Sequence, residues 1–281
     1  MKKNNRVVLI TGASSGIGKA CAQHLQEQGY QVFGTSRHPQ SEAVELSQPG
    51  TRQSSGSLEM IEMDVNDDDS VNQTIDTVFK KASRLDAVVN NAGFGLAGAI
   101  EDTSTLEAKS QLETNFFGVL RVCRAALPIM RRQGSGYIVN ISSLAGLISV
   151  PFQGLYSASK FALEGLTEAL RMEVRPFGIK VVLIEPGDFG TPFTAHRHKT
   201  IQSQKNPVYA EPFKRALGVM EASEMKGPSP DKIARLLERI IRNSSPHLRY
   251  RIGPNSSSVL LRKFMPAWLF EWAVMKNYKL V

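Results

Sequence analysis

The chain has 281 residues, 42% of them hydrophobic, enough for one large core or two small ones. Its two cysteines, Cys21 and Cys123, fall in helix-like stretches, exclude a disulfide framework and read as small buried hydrophobes. The net charge of +8 is uneven: residues 1–187 carry 18 Lys/Arg against 19 Asp/Glu, and residues 188–281 carry 16 against 7. A basic last third suits an anionic partner or surface, or simply a solvated basic face. It does not suit nucleic acid, because no recognised nucleic-acid module accompanies it.

The basic start MKKNNR leads into only a short apolar run, VVLI, far too short for the core of a signal peptide. No apolar run reaches the ~18 residues of a membrane span, so a cytoplasmic location is expected. From there short β-branched runs alternate with amphipathic stretches. RVVLIT (6–11), QVFGTS (31–36), LEMIEMD (58–64), LDAVVN (85–90), YIVNIS (137–142), KVVLIE (180–185) and LRYRIG (248–253) read as strands. Residues 16–29, 68–83, 105–132, 156–177 and 230–243 have helical spacing and length. Near-continuous apolar strands linked by helices predict an α/β fold: a single doubly wound parallel sheet of about seven strands, buried on both faces by helices. Two segments break the rhythm. Residues 38–57, rich in Ser, Gln, Pro and Gly, read as a short helix turn and loop. Residues 188–227 form a long insertion without clear periodicity until about 208, the kind of loop that is usually functional. Alternation resumes after each, so one domain is expected, with an appendage at about 254–281.

The first strand runs into TGASSGIGKA. Gly12, Gly16 and Gly18, spaced G-x-x-x-G-x-G between strand and helix, allow a tight turn and bring backbone N–H groups and a positive helix end to a pyrophosphate. With Ser14, Ser15 and Ile17 they form the expected phosphate loop. The second strand ends in Ser36 and Arg37, where a carboxylate usually holds a free ribose 2′-hydroxyl. Loss of that carboxylate and the guanidinium fork of Arg37 favour a 2′-phosphate, hence NADP(H) over NAD(H). Asp64, followed by Val65, closes the third strand and either meets the adenine edge or caps the next turn. Asn91, Ala92 and Gly93 end the fourth strand on the cofactor side, although such asparagines also satisfy loop backbone.

The fifth strand delivers Ser142 and Ser143 to the carboxyl edge of the sheet, where open α/β folds place ligands. Tyr156 and Lys160, at i and i+4, point from one face of the next helix. A phenol near pKa ~10 is a poor acid–base group at neutral pH. A neighbouring ammonium and an oxidised nicotinamide are expected to lower it. Tyr156 is then suited to exchange a proton with a carbonyl or alcohol, with Ser143 steadying the oxygen and Lys160 also holding ribose hydroxyls. Y-x-x-x-K alone is a weak signal; its placement after the other elements gives it weight.

TGASSGIG (11–18), NNAG (90–93), Asn115 in ETNFFG, Ser143, YSASK (156–160) and EPGDFGT (185–191) occur in an order that resembles the short-chain dehydrogenase/reductase family across residues 6–191. The resemblance implies that Tyr156 is the acid/base, that Lys160 tunes it and that Ser143, thirteen residues upstream, orients substrate. It further implies that Asn115 supports a water-mediated proton relay to Lys160, and that Pro186, Gly187 and Thr191 lie near the nicotinamide and phosphates. SRH resembles NADP-preferring members, and NNAGFGLAG with YSASKFALEGL the hydroxysteroid and retinol dehydrogenase branch. Family resemblance also implies a homodimer or homotetramer through residues 105–132 and 156–177, and a substrate lid at 188–227.

Within that lid, HRHK (196–199) lacks a third metal ligand and reads as a solvated basic loop, so no metal is expected. The tail VLLRKFMPAWLFEWAVMKNYKL holds both tryptophans, Trp268 and Trp272, and is broken by Pro266. It reads either as an interfacial membrane anchor or, on balance, as a cover over the pocket or a partner subunit. Either surrounding favours a bulky lipophilic carbonyl or alcohol substrate. The competing reading from another class is an NADP(H)-binding redox sensor or scaffold without turnover.

Overall fold

The computed structural model describes residues 6–39 and 56–281. Seven strands form one parallel sheet: β1 (Val7–Thr11), β2 (Gln31–Ser36), β3 (Ser57–Glu62), β4 (Ala87–Asn90), β5 (Gly136–Ile141), β6 (Ile179–Pro186) and β7 (Arg249–Ile252). Their order is β3-β2-β1-β4-β5-β6-β7, so the chain runs outward from β1 to one edge and then returns to build the other. Strand order reverses beside β1, which opens a crevice at the carboxyl ends of β1 and β4.

The helices are α1 (Gly16–Glu27), α2 (Asp68–Ala82), α3 (Thr105–Leu112), α4 (Gly118–Gln133), α5 (Gly154–Val174), α6 (Ile201–Lys205), α7 (Ala210–Met225), α8 (Asp231–Arg242) and α9 (Ala267–Asn277). Side chains of α2, α4 and α5 pack on one face of the sheet, and those of α1 and α8 on the other. All five residues of β1 are buried, which a strand covered on both faces requires. Burying each of Val8, Leu9 and Ile10 contributes about 1.5–3 kcal/mol relative to exposure. Local chemistry sets the helix ends: Asp67 accepts from Ser70 N at 2.7 Å to start α2, and Ser104 and Glu107 form a reciprocal capping box on α3. Cys21 and Cys123 are buried, and burial pushes both thiols up to about 12.

Three expectations need adjustment. The helix expected over 105–132 is two helices joined by a π turn at Glu113–Phe117, where the ladder widens. The third strand stops at Glu62, because the chain turns at Asp64, whose carboxylate accepts from Asn66 N at 2.9 Å. The insertion at 188–227 is largely ordered, holding α6, α7 and a two-residue parallel ladder of Leu96–Ala97 with His198–Lys199. Most of the helix turn and loop expected over 38–57 lies outside the described residues.

Candidate active site

The loop after β1 is shaped by its glycines. Gly12 turns with φ +64°, a conformation that side chains resist. Gly18 lies under that turn: a Cβ there would sit 2.2 Å from the Gly12 carbonyl oxygen and 2.5 Å from Asn91 Nδ2. Asn91 in turn donates from Nδ2 to the Thr11 and Gly12 carbonyls at 2.9 Å each, while its backbone N–H and that of Ala92 donate to Thr11 Oγ1 at 2.9 Å. The asparagine thus has the backbone-satisfying role weighed for it, and it fixes the loop against the end of β4. Ser15 caps α1 without a side-chain hydrogen bond, and the first turn of α1 carries no acidic residue. Its N–H groups therefore face an open crevice with positive polarity, a fit for phosphate oxygens.

That crevice continues into a cavity of about 1190 Å³. Every cofactor and catalytic position singled out in the sequence lines it except Gly18, whose part is the close approach beneath the loop. Arg37 is exposed at the rim and forms no ion pair among the described residues. Asp64 and Val65 line the same end, and the Asp64 carboxylate caps its own turn, the second of the two roles open to it. Pro186, Gly187 and Thr191 border the opposite wall.

Tyr156 stands in the first turn of α5 and Lys160 one turn on, both buried. The Lys160 Nζ donates to the Ile141 carbonyl at 2.8 Å and lies 5.8 Å from the centre of the Tyr156 ring. Ser143 Oγ accepts from Ala145 N at 3.1 Å and lines the same cavity as the Tyr156 phenol, whose proton affinity it lowers. The expected lowering of the phenol is reversed in the protein by itself. Burial pushes Tyr156 up to about 12, against the opposing pull of Ser143 and the Arg197 charge. Burial likewise lowers Lys160 to about 8, partly offset by Glu164. Both shifts have one cause, desolvation of a charged form in a closed site.

The π turn explains how Asn115 arrives here. It turns Asn115 inward, so that Oδ1 accepts from Phe94 N at 3.1 Å while Nδ2 donates to the Phe94 carbonyl at 3.0 Å and to Ser159 Oγ at 3.2 Å. A straight helix read from 105 to 132 carries no sign of this.

The sequence reading missed the far wall. HRHK was expected to be solvated, yet the Arg197 side chain is fully buried and paired with Glu224. Its neighbours His196 and His198 are exposed, and among the described residues no group of three or more metal-ligating side chains converges. Strand pairing of His198 with Leu96 turns the adjacent Arg197 inward, a pattern that two residues of ladder cannot announce in sequence. The tail supplies the remaining wall through Phe270, Val274 and Tyr278, so it covers the cavity as weighed. Its outer side leaves Phe264, Trp268 and Trp272 exposed, and no described helix is long and apolar enough to cross a membrane. Behind the site, Arg249 of β7 reaches Glu164 at 3.0 Å and Glu185 at 3.1 Å, tying the sheet edge to α5 and β6.

Residues 6–202 match the short chain dehydrogenase family. The chain is 44% identical over 249 residues to a 3-ketodihydrosphingosine reductase of Bacteroides thetaiotaomicron, covering 89% of this chain and 88% of that one. It is 34% identical over 276 residues to retinol dehydrogenase 8 of Bos taurus, covering 92% and 85%. A short-chain dehydrogenase structure from Streptomyces avermitilis superposes with a TM-score of 0.80 at 33% identity, covering 98% and 97%.

Proposed function

The chain belongs to the short-chain dehydrogenase/reductase family and is an oxidoreductase acting on alcohol and ketone groups; from that premise we propose that it is an NADP(H)-dependent reductase of a lipophilic, long-chain ketone. One observation carries the reading: Ser143, Tyr156 and Lys160 meet in the cavity that the glycine loop of β1 opens, so a carbonyl placed on the phenol also faces the dinucleotide cradle.

Gly12, Ser14, Ser15, Gly16 and Ile17 hold the phosphates, with Gly18 keeping their loop tight. Ser36 and Arg37 receive the 2′-phosphate, with Asp64 and Val65 at the adenine. Asn91, Ala92, Gly93, Pro186, Gly187 and Thr191 frame the nicotinamide end. The bound cofactor supplies the hydride. Tyr156 would donate its phenol proton to the carbonyl oxygen as negative charge develops there, completing the secondary alcohol. Ser143 donates a hydrogen bond to the developing oxyanion. Lys160 holds ribose hydroxyls and, with Asn115, returns a proton to the phenolate.

The apolar tail wall supports a lipophilic substrate, and the 44% identical relative makes a 3-ketodihydrosphingosine-type ketone a better candidate than a steroid or retinoid. Residues 188–227 act as the lid. Exposed Leu106, Phe117, Phe161 and Met172 along α3, the π turn and α5 support a homodimer or homotetramer through those helices. Exposed Trp268 and Trp272 beside Arg262, Lys276 and Lys279 support peripheral contact with an anionic membrane surface from the cytoplasmic side.

The test is absorbance at the reduced-nicotinamide band, with NADPH and NADH in parallel against lipophilic ketones. NADPH oxidation that falls about 10²–10⁴-fold in Tyr156→Phe supports the reading. Preference for NADH removes the role given to Arg37, and tight NADPH binding without turnover favours a sensor instead.

A further inference from the structure

Beyond the phenol, the cavity contains charges that hydride transfer does not use. The Phe193 ring lies tilted 5.8 Å from the Tyr156 ring, and the Arg197 guanidinium lies 5.8 Å from the Phe193 ring. Arg197 pairs with Glu224 through Nη2 alone; its Nε and Nη1 are buried without a hydrogen-bond partner among the described residues. Buried guanidinium donors left unmade cost free energy until an acceptor reaches them. Both oxygens of Glu224 are engaged, since Thr194 donates to the second at 2.6 Å. Asp188 differs: Ser223 donates to one oxygen, and the other is unengaged among the described residues. Ser223 and Glu224 are adjacent on α7, so the bonds of Ser223 to Asp188 and of Arg197 to Glu224 bring the three charges to one corner of the cavity that Tyr156 and Tyr278 also line.

Two carboxylates against one guanidinium make this corner of the pocket locally acidic, while the Lys160 ammonium on the other side of the phenol is turned to the Ile141 carbonyl. We propose that Asp188, Arg197 and Glu224 form a head-group subsite for a protonated amine with a neighbouring hydroxyl, so that the ketone reduced is a long-chain α-amino ketone. The amine sits on the unengaged oxygen of Asp188, the hydroxyl accepts from Arg197 Nε or Nη1, and Glu224 holds the guanidinium in place. The carbonyl next to the amine then falls to Tyr156 and Ser143, with the alkyl chain along the tail wall of Phe270 and Val274. A plain lipophilic ketone has nothing to offer this cluster, and an anionic one meets its excess charge. This inference rests on the reductase reading and narrows it.

The experiment compares three substrates of equal chain length: an α-amino ketone, its N-acetylated form and the ketone lacking the amine. Wild type should show kcat/KM for the amino ketone about 30-fold or more above the other two, as a charge-assisted contact predicts. In Asp188→Asn the ratio should collapse towards one. Equal rates on all three, or a preference that survives in Asp188→Asn, overturns the subsite. The N-acetylated arm uses wild-type protein, so the inference stays testable even where a variant folds poorly. Equilibrium dialysis with the corresponding long-chain amino alcohol and its amine-free analogue separates the two readings. If no ketone is turned over while the amino alcohol still binds more tightly, the subsite stands and the reductase reading falls; equal binding of both alcohols removes the subsite.

Discussion

All five residues of β1 are buried, whereas none of the eleven residues of α9 is. The loop that β1 runs into and α9 border the same cavity. The cofactor wall is held from behind by a two-faced core, by Asn91 bonding the loop backbone and by Gly18 at the limit of close approach. The tail wall rests on the protein with one side and presents aromatic and basic side chains on the other. The contrast teaches that the two walls have different tasks. A dinucleotide is the same molecule in every turnover and rewards a rigid cradle, while the long-chain substrate proposed above would have to enter and leave past its cover.

The largest way to break this comparison is Gly18→Ala. The new Cβ has backbone and the Asn91 amide within 2.5 Å and no flexible neighbour to displace. A loss of about 2–3 kcal/mol in stability is expected, with weakened NADPH binding. Denaturant unfolding and cofactor titration check it; an unchanged midpoint would show that the cradle is softer than described.

Burial can also be read from pH. Lys160 is lowered to about 8 when folded and titrates near ~10.4 when unfolded. Below 8 both states hold the proton and the cost of burying the charge is fully present. Between about 8 and 10 the unfolded state binds more protons, so this group makes stability rise with pH, by about 2 kcal/mol. Tyr156, pushed up to about 12, acts oppositely only above ~10. Urea unfolding at several alkaline pH values should show the rise in wild type and its loss in Lys160→Met.

The smallest expected effect sharpens the other side. Trp268→Ala removes an exposed ring from the tail, and lost interfacial burial should weaken sedimentation with anionic vesicles by about 1 kcal/mol, several-fold. Turnover of a detergent-dispersed ketone should change little. Equal binding to neutral and anionic vesicles would remove the part given to Arg262, Lys276 and Lys279.

Legibility in the sequence follows the same division. The β1–α1 glycine spacing, the end of β2 and the Tyr156–Lys160 pair lie on regular elements, where a period or a strand end fixes direction, and they meet in the cavity as read. Asn115 was legible by family resemblance alone, because a π turn leaves the helical pattern of residues 105–132 intact while changing where one side chain points. Arg197 was misread because a two-residue ladder, not composition, decides which side of HRHK turns inward. Residues 188–227 and the tail are set by long-range contacts with Asp188, Glu224 and the cavity, and spacing along the chain does not encode those.

The buried cysteines have a practical consequence. With both thiols pushed up to about 12, only about one molecule in 10⁵ carries either thiolate at neutral pH. Maleimides and disulfide reagents therefore find no reactive thiol in the folded wild-type chain. A cysteine introduced at position 268 becomes the one labelling site, and fluorescence from it can follow the tail through substrate entry without first stripping the protein of its own cysteines.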